Sequence, residues 1–300
     1  HLTLRRKGIT ELLKSRVIRI GIPFLVGWFL LRPLTVSGWI MGFSSMQGEI
    51  QFWSGIAAGF NELRKLPEGL FVGTHLWFLY YLAMITGITL LVRTAIRIWP
   101  LGTAAINRGG ETFIAWFSVS RWSWLLAVAL ITAVLNLMDG WGVDTPDKSL
   151  LPHLPAILLY GGFFGLGWLL DRKPEGLKTL SQLTWFRVAV AVVSIGITLF
   201  LTKYQMDPGH PQHHSTHHYF NVSYAAMMLT LVWLTIGLFR HFCQRPNRWV
   251  RYVADSSYWM YLTHLPIVLW LQVATAEIEI YWLIKLPLVS LATVGICLIT

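Results

Sequence analysis

The sequence predicts an all-α fold, a polytopic integral membrane helical bundle with about eight transmembrane helices, and three observations predict it. The chain is 55% hydrophobic and only 13% charged, where a soluble domain carries about 25% charged residues. Its apolar segments run for roughly 20 residues, the length a helix needs to cross ~30 Å of hydrocarbon. Those runs are continuous, whereas barrel strands alternate apolar and polar residues over roughly 10 positions. Helices also satisfy their own backbone in lipid.

The apolar segments lie near 20–42, 75–95, 121–138, 153–170, 185–203, 220–239, 254–275 and 280–300. Almost no chain is left for a soluble domain, so residues 1–300 read as a single membrane-embedded domain. Pro23, Pro33, Pro266 and Pro287 fall inside these segments and should kink them. The longest external connection, about 44–73, places Phe52, Trp53, Ile56, Phe60, Leu63 and Leu66 at near-helical spacing between Glu49 and Glu68. It reads as an amphipathic segment on the outer interface or over the mouth of the bundle. Both ends read as cut, since the chain opens at His1 and its last apolar run reaches Thr300. Further sequence is expected upstream and downstream. The first 19 residues are basic and lack the apolar core of a signal peptide.

Charge predicts orientation. Arg5, Arg6, Lys7, Lys14, Arg16 and Arg19 precede the first segment. Four further basic residues fall in each of 93–121, 171–187 and 240–251, making eighteen, against Arg64, Lys65, Lys148 and Lys203 in the other connections. The positive-inside rule makes the basic set cytoplasmic. The net charge of +10 is then accounted for by topology and anionic lipid, and nucleic acid is not an expected partner. Cys243 and Cys297 carry no disulfide signal, because neither has a partner in an oxidising compartment.

Polar chemistry has four candidate places. Arg16 and Arg19, in "SRVIRIGIP", are three apart on one helix face, shaped for phosphate or serving as ordinary basic flanking. His264, in "SSYWMYLTHLP", lies near the midplane with Ser257 and Tyr261 at helical spacings of three and four. An intramembrane ionisable residue is a functional candidate, its structural alternative being a neutral imidazole bonded between helices. His75 opens "THLWFLYYL" at the external interface, where an imidazole keeps contact with water and can take a proton from a hydroxyl, or simply cap the span. Finally, "GHPQHHSTHHY" carries His210, His213, His214, His217 and His218. Its pairs have metal-ligand spacing, but the composition suits a solvated external loop, and no metal site is assigned.

Three stretches in order, "RVIRIGIP", "GTHLWFLYYL" and "VADSSYWMYLTHLPIVLW", resemble the acyltransferase family 3 membrane proteins, particularly the branch that includes the succinyltransferase of osmoregulated periplasmic glucans. The resemblance implies ten core helices, of which the eight seen here would be the third through tenth, with the main catalytic histidine and an arginine on the first. It implies transfer of an acyl group, possibly succinyl, from cytoplasmic acyl-CoA to a hydroxyl of an extracytoplasmic glucan or other carbohydrate, in a bacterial inner membrane and with no cofactor. Arg16 and Arg19 would hold CoA phosphates, His264 and His75 match recurrent family histidines, and Tyr261 and Ser257 would border the substrate. The competing class is a transporter of a polar solute, for which a midplane histidine and broken helices are equally suitable.

Overall fold

The computed structural model describes residues 10–11, 13–48, 52–65, 74–98, 100–146 and 151–299. Among them every regular element is helical. The α-helices are α1 (Ile22–Met46), α2 (Phe52–Asn61), α3 (Trp77–Arg97), α4 (Pro100–Val119), α5 (Trp122–Leu135), α6 (Leu154–Leu170), α7 (Pro174–Leu180), α8 (Trp185–Gln205), α9 (His213–Phe242), α10 (Arg248–Ala274) and α11 (Trp282–Ile299). Five stretches are long and apolar enough to cross a bilayer: Leu13–Met46, Trp77–Ile96, Trp185–Gln205, His213–Phe242 and Trp282–Ile299. Two sharply bent pairs, Ala104–Val119 with Trp122–Leu135 and Leu154–Leu170 with Pro174–Leu180, raise the number to seven if each pair is one span. The expected segment at 254–275 is helical as α10, but Asp255, Ser257 and His264 dilute its apolar character. Helix α4 occupies ground that the charge pattern assigned to a cytoplasmic connection. Ile114 and Phe117 are its buried anchors, and Arg108 lies on its exposed side.

The chain divides into two compact units, with one boundary inside α3 between Met84 and Ile85. One unit holds α1, α2, the start of α3, α10 and α11. Helix α1 is entered through a π turn, Val17–Gly21. Pro23 follows the π turn directly, inside the continuous helical stretch Leu13–Met46. Pro33, Pro266 and Pro287 are interior, as expected. The amphipathic segment folds as α2 and a 3-10 turn, Glu62–Lys65. It packs directly along α1. A Cβ at Gly59 would lie 2.4 Å from the Pro33 carbonyl oxygen and one at Gly55 2.3 Å from Met41 Cγ, so this Gly-x-x-x-Gly pair permits backbone approach in the manner of small-residue membrane interfaces. Leu66, Glu49 and Glu68 lie outside the described residues. Helix α10 joins the same face of α1. Trp270 Nε1 donates to the Leu34 carbonyl oxygen at 3.0 Å, and Gly38 leaves room for Leu269.

The other unit holds the rest of α3 and α4 to α9. Its core gathers Phe117, Ile131, Leu135, Leu159, Leu229 and Trp233. Helix termini are finished by side chains. Arg187 Nη1 donates to the carbonyl oxygens of Leu180 and Gln182, both at 2.7 Å, closing the end of α7. The histidine-rich segment is largely helical and not a loop, because α9 begins at His213. Only His210 precedes it, in the turn where Gly209 N donates to Asp207 Oδ1 at 2.9 Å. His217 is held at both ring nitrogens, by Gln205 Oε1 at 2.8 Å and Asn221 Nδ2 at 3.1 Å. Asn221 in turn donates to Asn136 Oδ1 at 2.8 Å. Gln205 and Asn221 are each 1% exposed, and apart from Asn221 Oδ1 the side-chain groups of this network are paired within the unit.

Candidate active site

The site grows from a proline. Pro266 has no N–H, so the carbonyl of Leu262, four residues earlier in α10, lacks its helical donor. Such a carbonyl persists in an apolar bundle only when another group satisfies it. His75 does so, its Nε2 lying 2.8 Å from Leu262 O. A carbonyl oxygen only accepts, so Nε2 carries the proton in the neutral ring. Tyr261 returns the contact by donating from its hydroxyl to the His75 carbonyl oxygen. His75 stands in a 3-10 turn, Thr74–Leu76, that orients it before α3 begins.

His264 completes a cluster of three rings. Its centroid is 5.6 Å from that of His75 and 6.3 Å from that of Tyr261, while His75 and Tyr261 are 5.9 Å apart. Nδ1 of His264 lies 2.8 Å from the Tyr261 carbonyl oxygen and 3.1 Å from that of Met260. Those acceptors fix the proton of the neutral ring on Nδ1 and leave the lone pair on Nε2. An imidazole held in this tautomer by backbone can take a proton at Nε2.

The two histidines that depth counting set apart, one at the interface and one near the midplane, are therefore neighbours. Counting residues from the start of an apolar run equates that start with the membrane surface, and here the start of α3 packs inside its unit. Leu76 is fully buried, Tyr81 is 1% exposed, and Phe78 meets the ring of Tyr261. The aromatics after His75 are packing residues as much as an interfacial belt.

The remaining predicted residues stand elsewhere. Ser257 is exposed, and its hydroxyl donates to Ala254 O of its own helix at 2.7 Å. Arg16 is half-buried and Arg19 exposed. Arg19 lies within the π turn Val17–Gly21 and Arg16 immediately precedes it, so the three-residue spacing is not that of a regular α-helix here. Neither makes a hydrogen bond or ion pair among the described residues. No group of three or more histidine, cysteine or acidic side chains able to hold a metal occurs among the described residues.

The profile of the acyltransferase family 3 domain, described as an acyltransferase domain, matches residues 1–300. The chain belongs to the acyltransferase 3 family. No curated protein and no solved structure matches it. Membership favours one of the classes that composition left open: the chain is a membrane acyltransferase. A chemical rationale for the ring cluster then follows, because acyl transfer to a hydroxyl needs a group that accepts the hydroxyl proton.

Proposed function

We propose that this acyltransferase moves an acyl group from acyl-CoA on the cytoplasmic face to a hydroxyl of an extracytoplasmic carbohydrate in a bacterial inner membrane. A succinyl group and a glucan are the leading pair, by the resemblance of the three sequence stretches. The observation that carries the chemistry is the orientation of His264, whose Nδ1 is committed to the Tyr261 carbonyl oxygen at 2.8 Å. In the reaction the acceptor hydroxyl oxygen attacks the thioester carbonyl carbon, its proton passes to His264 Nε2, and a C–O bond replaces the C–S bond. The CoA thiolate leaves and is protonated, and His264 returns its proton to solvent. His75 acts as a positioning residue, holding the proline-broken turn of α10 that carries Tyr261 and His264. Arg16 and Arg19 supply guanidinium groups for CoA phosphates at the basic end of the first span.

The test is transfer by the full-length protein in proteoliposomes. Labelled succinyl-CoA, acetyl-CoA and a longer acyl-CoA are each offered on the Arg16 side, with glucan on the other. Label appearing in alkali-labile ester on the glucan supports the reading. Label that reaches the acceptor from none of the donors, in protein shown to be folded, defeats it.

A further inference from the structure

A second site lies wholly within the unit built from α4 to α9 and the end of α3. Thr89, Val92, Arg93 and Ile96 of α3 face Asn107, Gly110 and Phe113 of α4 and Gly161, Gly165 and Trp168 of α6 around a cavity of about 620 Å³, with Arg172 also lining it. That volume suits a sizeable organic ligand. Its lining is sharply divided. Arg93 and Arg172 are cationic, and among the described residues no carboxylate lines the space. Besides them Thr89 and Asn107 are polar, and the remaining walls are aliphatic, aromatic or glycine.

Each half has a structural cause. Arg172 follows the end of α6, and its Nη1 donates to Asn107 Oδ1 at 2.8 Å, which fixes the guanidinium at the rim. That bond uses one of the five N–H groups of the fork. Its Nε is shielded from water without a partner, so the guanidinium is left short of bonds by the protein. Along α6, Gly161 and Gly165 are four residues apart and so share a face. A Cβ built at either meets nothing within 4 Å, so these glycines are not needed for helix contact and instead leave a trough. From Gly161 to Arg172 the helix and its end extend ~16 Å at 1.5 Å per residue.

We propose that this cavity is a binding site for one anionic phospholipid, with the phosphate between Arg93 and Arg172 and one acyl chain along the Gly161–Gly165 trough. Guanidinium groups match phosphate in charge and geometry, and basic pockets between membrane helices favour anionic head groups. The apolar floor excludes a free phosphate as the natural occupant, since it would leave the trough unfilled. It also disfavours the nucleotide of acyl-CoA, whose adenine and ribose would meet mostly apolar walls. The site rests on this cavity alone and does not depend on the transfer reaction.

Native mass spectrometry of the full-length protein in neutral detergent tests the assignment, with 1-palmitoyl-2-oleoyl phosphatidylglycerol, the matching phosphatidylcholine, inorganic phosphate and a short acyl-CoA as probes. Phosphatidylglycerol should be retained at least about tenfold more than phosphatidylcholine, a difference of about 1.4 kcal/mol. Arg93→Gln, which leaves the Arg172–Asn107 bond in place, should reduce that preference, and the double change Arg93→Gln/Arg172→Gln should abolish it. Gly165→Leu should lower retention of both lipids by filling the trough. Unchanged thermal unfolding of the lipid-free variants shows that the fold is intact. Equal retention of the two lipids, retention by folded Arg93→Gln and double variants at the unmodified level, or displacement of phosphatidylglycerol by equimolar acyl-CoA or phosphate would each overturn the assignment.

Discussion

His75 and Leu262 are 187 positions apart in the chain and joined by one hydrogen bond, His75 Nε2 to the Leu262 carbonyl oxygen at 2.8 Å. The bond exists because Pro266 withdraws the donor that would otherwise serve Leu262. Removing the imidazole leaves a carbonyl orphaned in an apolar setting, which costs about 1–3 kcal/mol. We expect His75→Ala to lower stability by that amount in detergent unfolding. His75→Gln, which can still donate, should recover part of it. Equal unfolding midpoints for all three proteins would show that the bond contributes nothing.

This relationship also marks how far the sequence could be read. Helix class and the positions of the apolar segments follow from hydrophobic run length, a local property. Pro266 and His75 were both legible as unusual residues in apolar surroundings. Their connection was not, because a proline announces that a carbonyl is free without saying which distant side chain will reach it. Gln205, Asn221 and His217 show the same limit. A Gln and an Asn in apolar helices signal a polar partner, yet composition alone turned the histidine segment into a solvated loop. Helix α4 was missed for a different reason. Arg93, Arg97, Arg108 and Arg121 dominate the charge count there, while Ile114 and Phe117 supply the buried face that makes the segment fold.

His264 separates a proton acceptor from a structural imidazole. His264→Gln preserves size and hydrogen bonding but cannot take a proton near neutral pH. We expect it to reduce kcat for acyl transfer by about 10²–10⁴-fold, the usual contribution of general acid–base catalysis, with little change in unfolding. A Gln variant that is folded and fully active, beside an inactive Leu variant, would assign His264 to structure alone.

Arg16 and Arg19 are free of protein partners among the described residues, as a ligand site requires. Loss of a charge-assisted hydrogen bond costs about 1.5–3 kcal/mol, so Arg19→Gln should raise the dissociation constant for acyl-CoA by roughly 10–100-fold. Pantetheine thioesters, which lack the nucleotide and its phosphates, should be insensitive to the change. Identical affinity in correctly inserted Arg16→Gln and Arg19→Gln proteins would return both residues to the role of topology signals.

The histidine segment divides into positions that matter and positions that do not. His214 is exposed on the first turn of α9 and should tolerate Asn with no loss of stability. His217 bridges Gln205 and Asn221, so His217→Leu should cost about 1–3 kcal/mol by leaving both amides short of a partner. Unfolding of the two variants side by side decides the point. A His214 variant as damaged as His217→Leu would indicate a function that this network does not explain.

The last prediction concerns orientation, because the proposed reaction joins two faces of one membrane. By the positive-inside rule the eighteen basic residues predict the Arg16 end in the cytoplasm and the start of α9 outside. Ser215 is exposed on that first turn, and Cys243 and Cys297 are the only native cysteines to remove. In a protein carrying Cys243→Ser, Cys297→Ala and Ser215→Cys, a membrane-impermeant maleimide should label intact cells. A cysteine at the exposed Lys14 should label only after lysis. The reverse pattern would put the donor site on the wrong face for cytoplasmic acyl-CoA. The direction of transfer would then fall, while the ring cluster of His75, Tyr261 and His264 would remain the place to look for the chemistry.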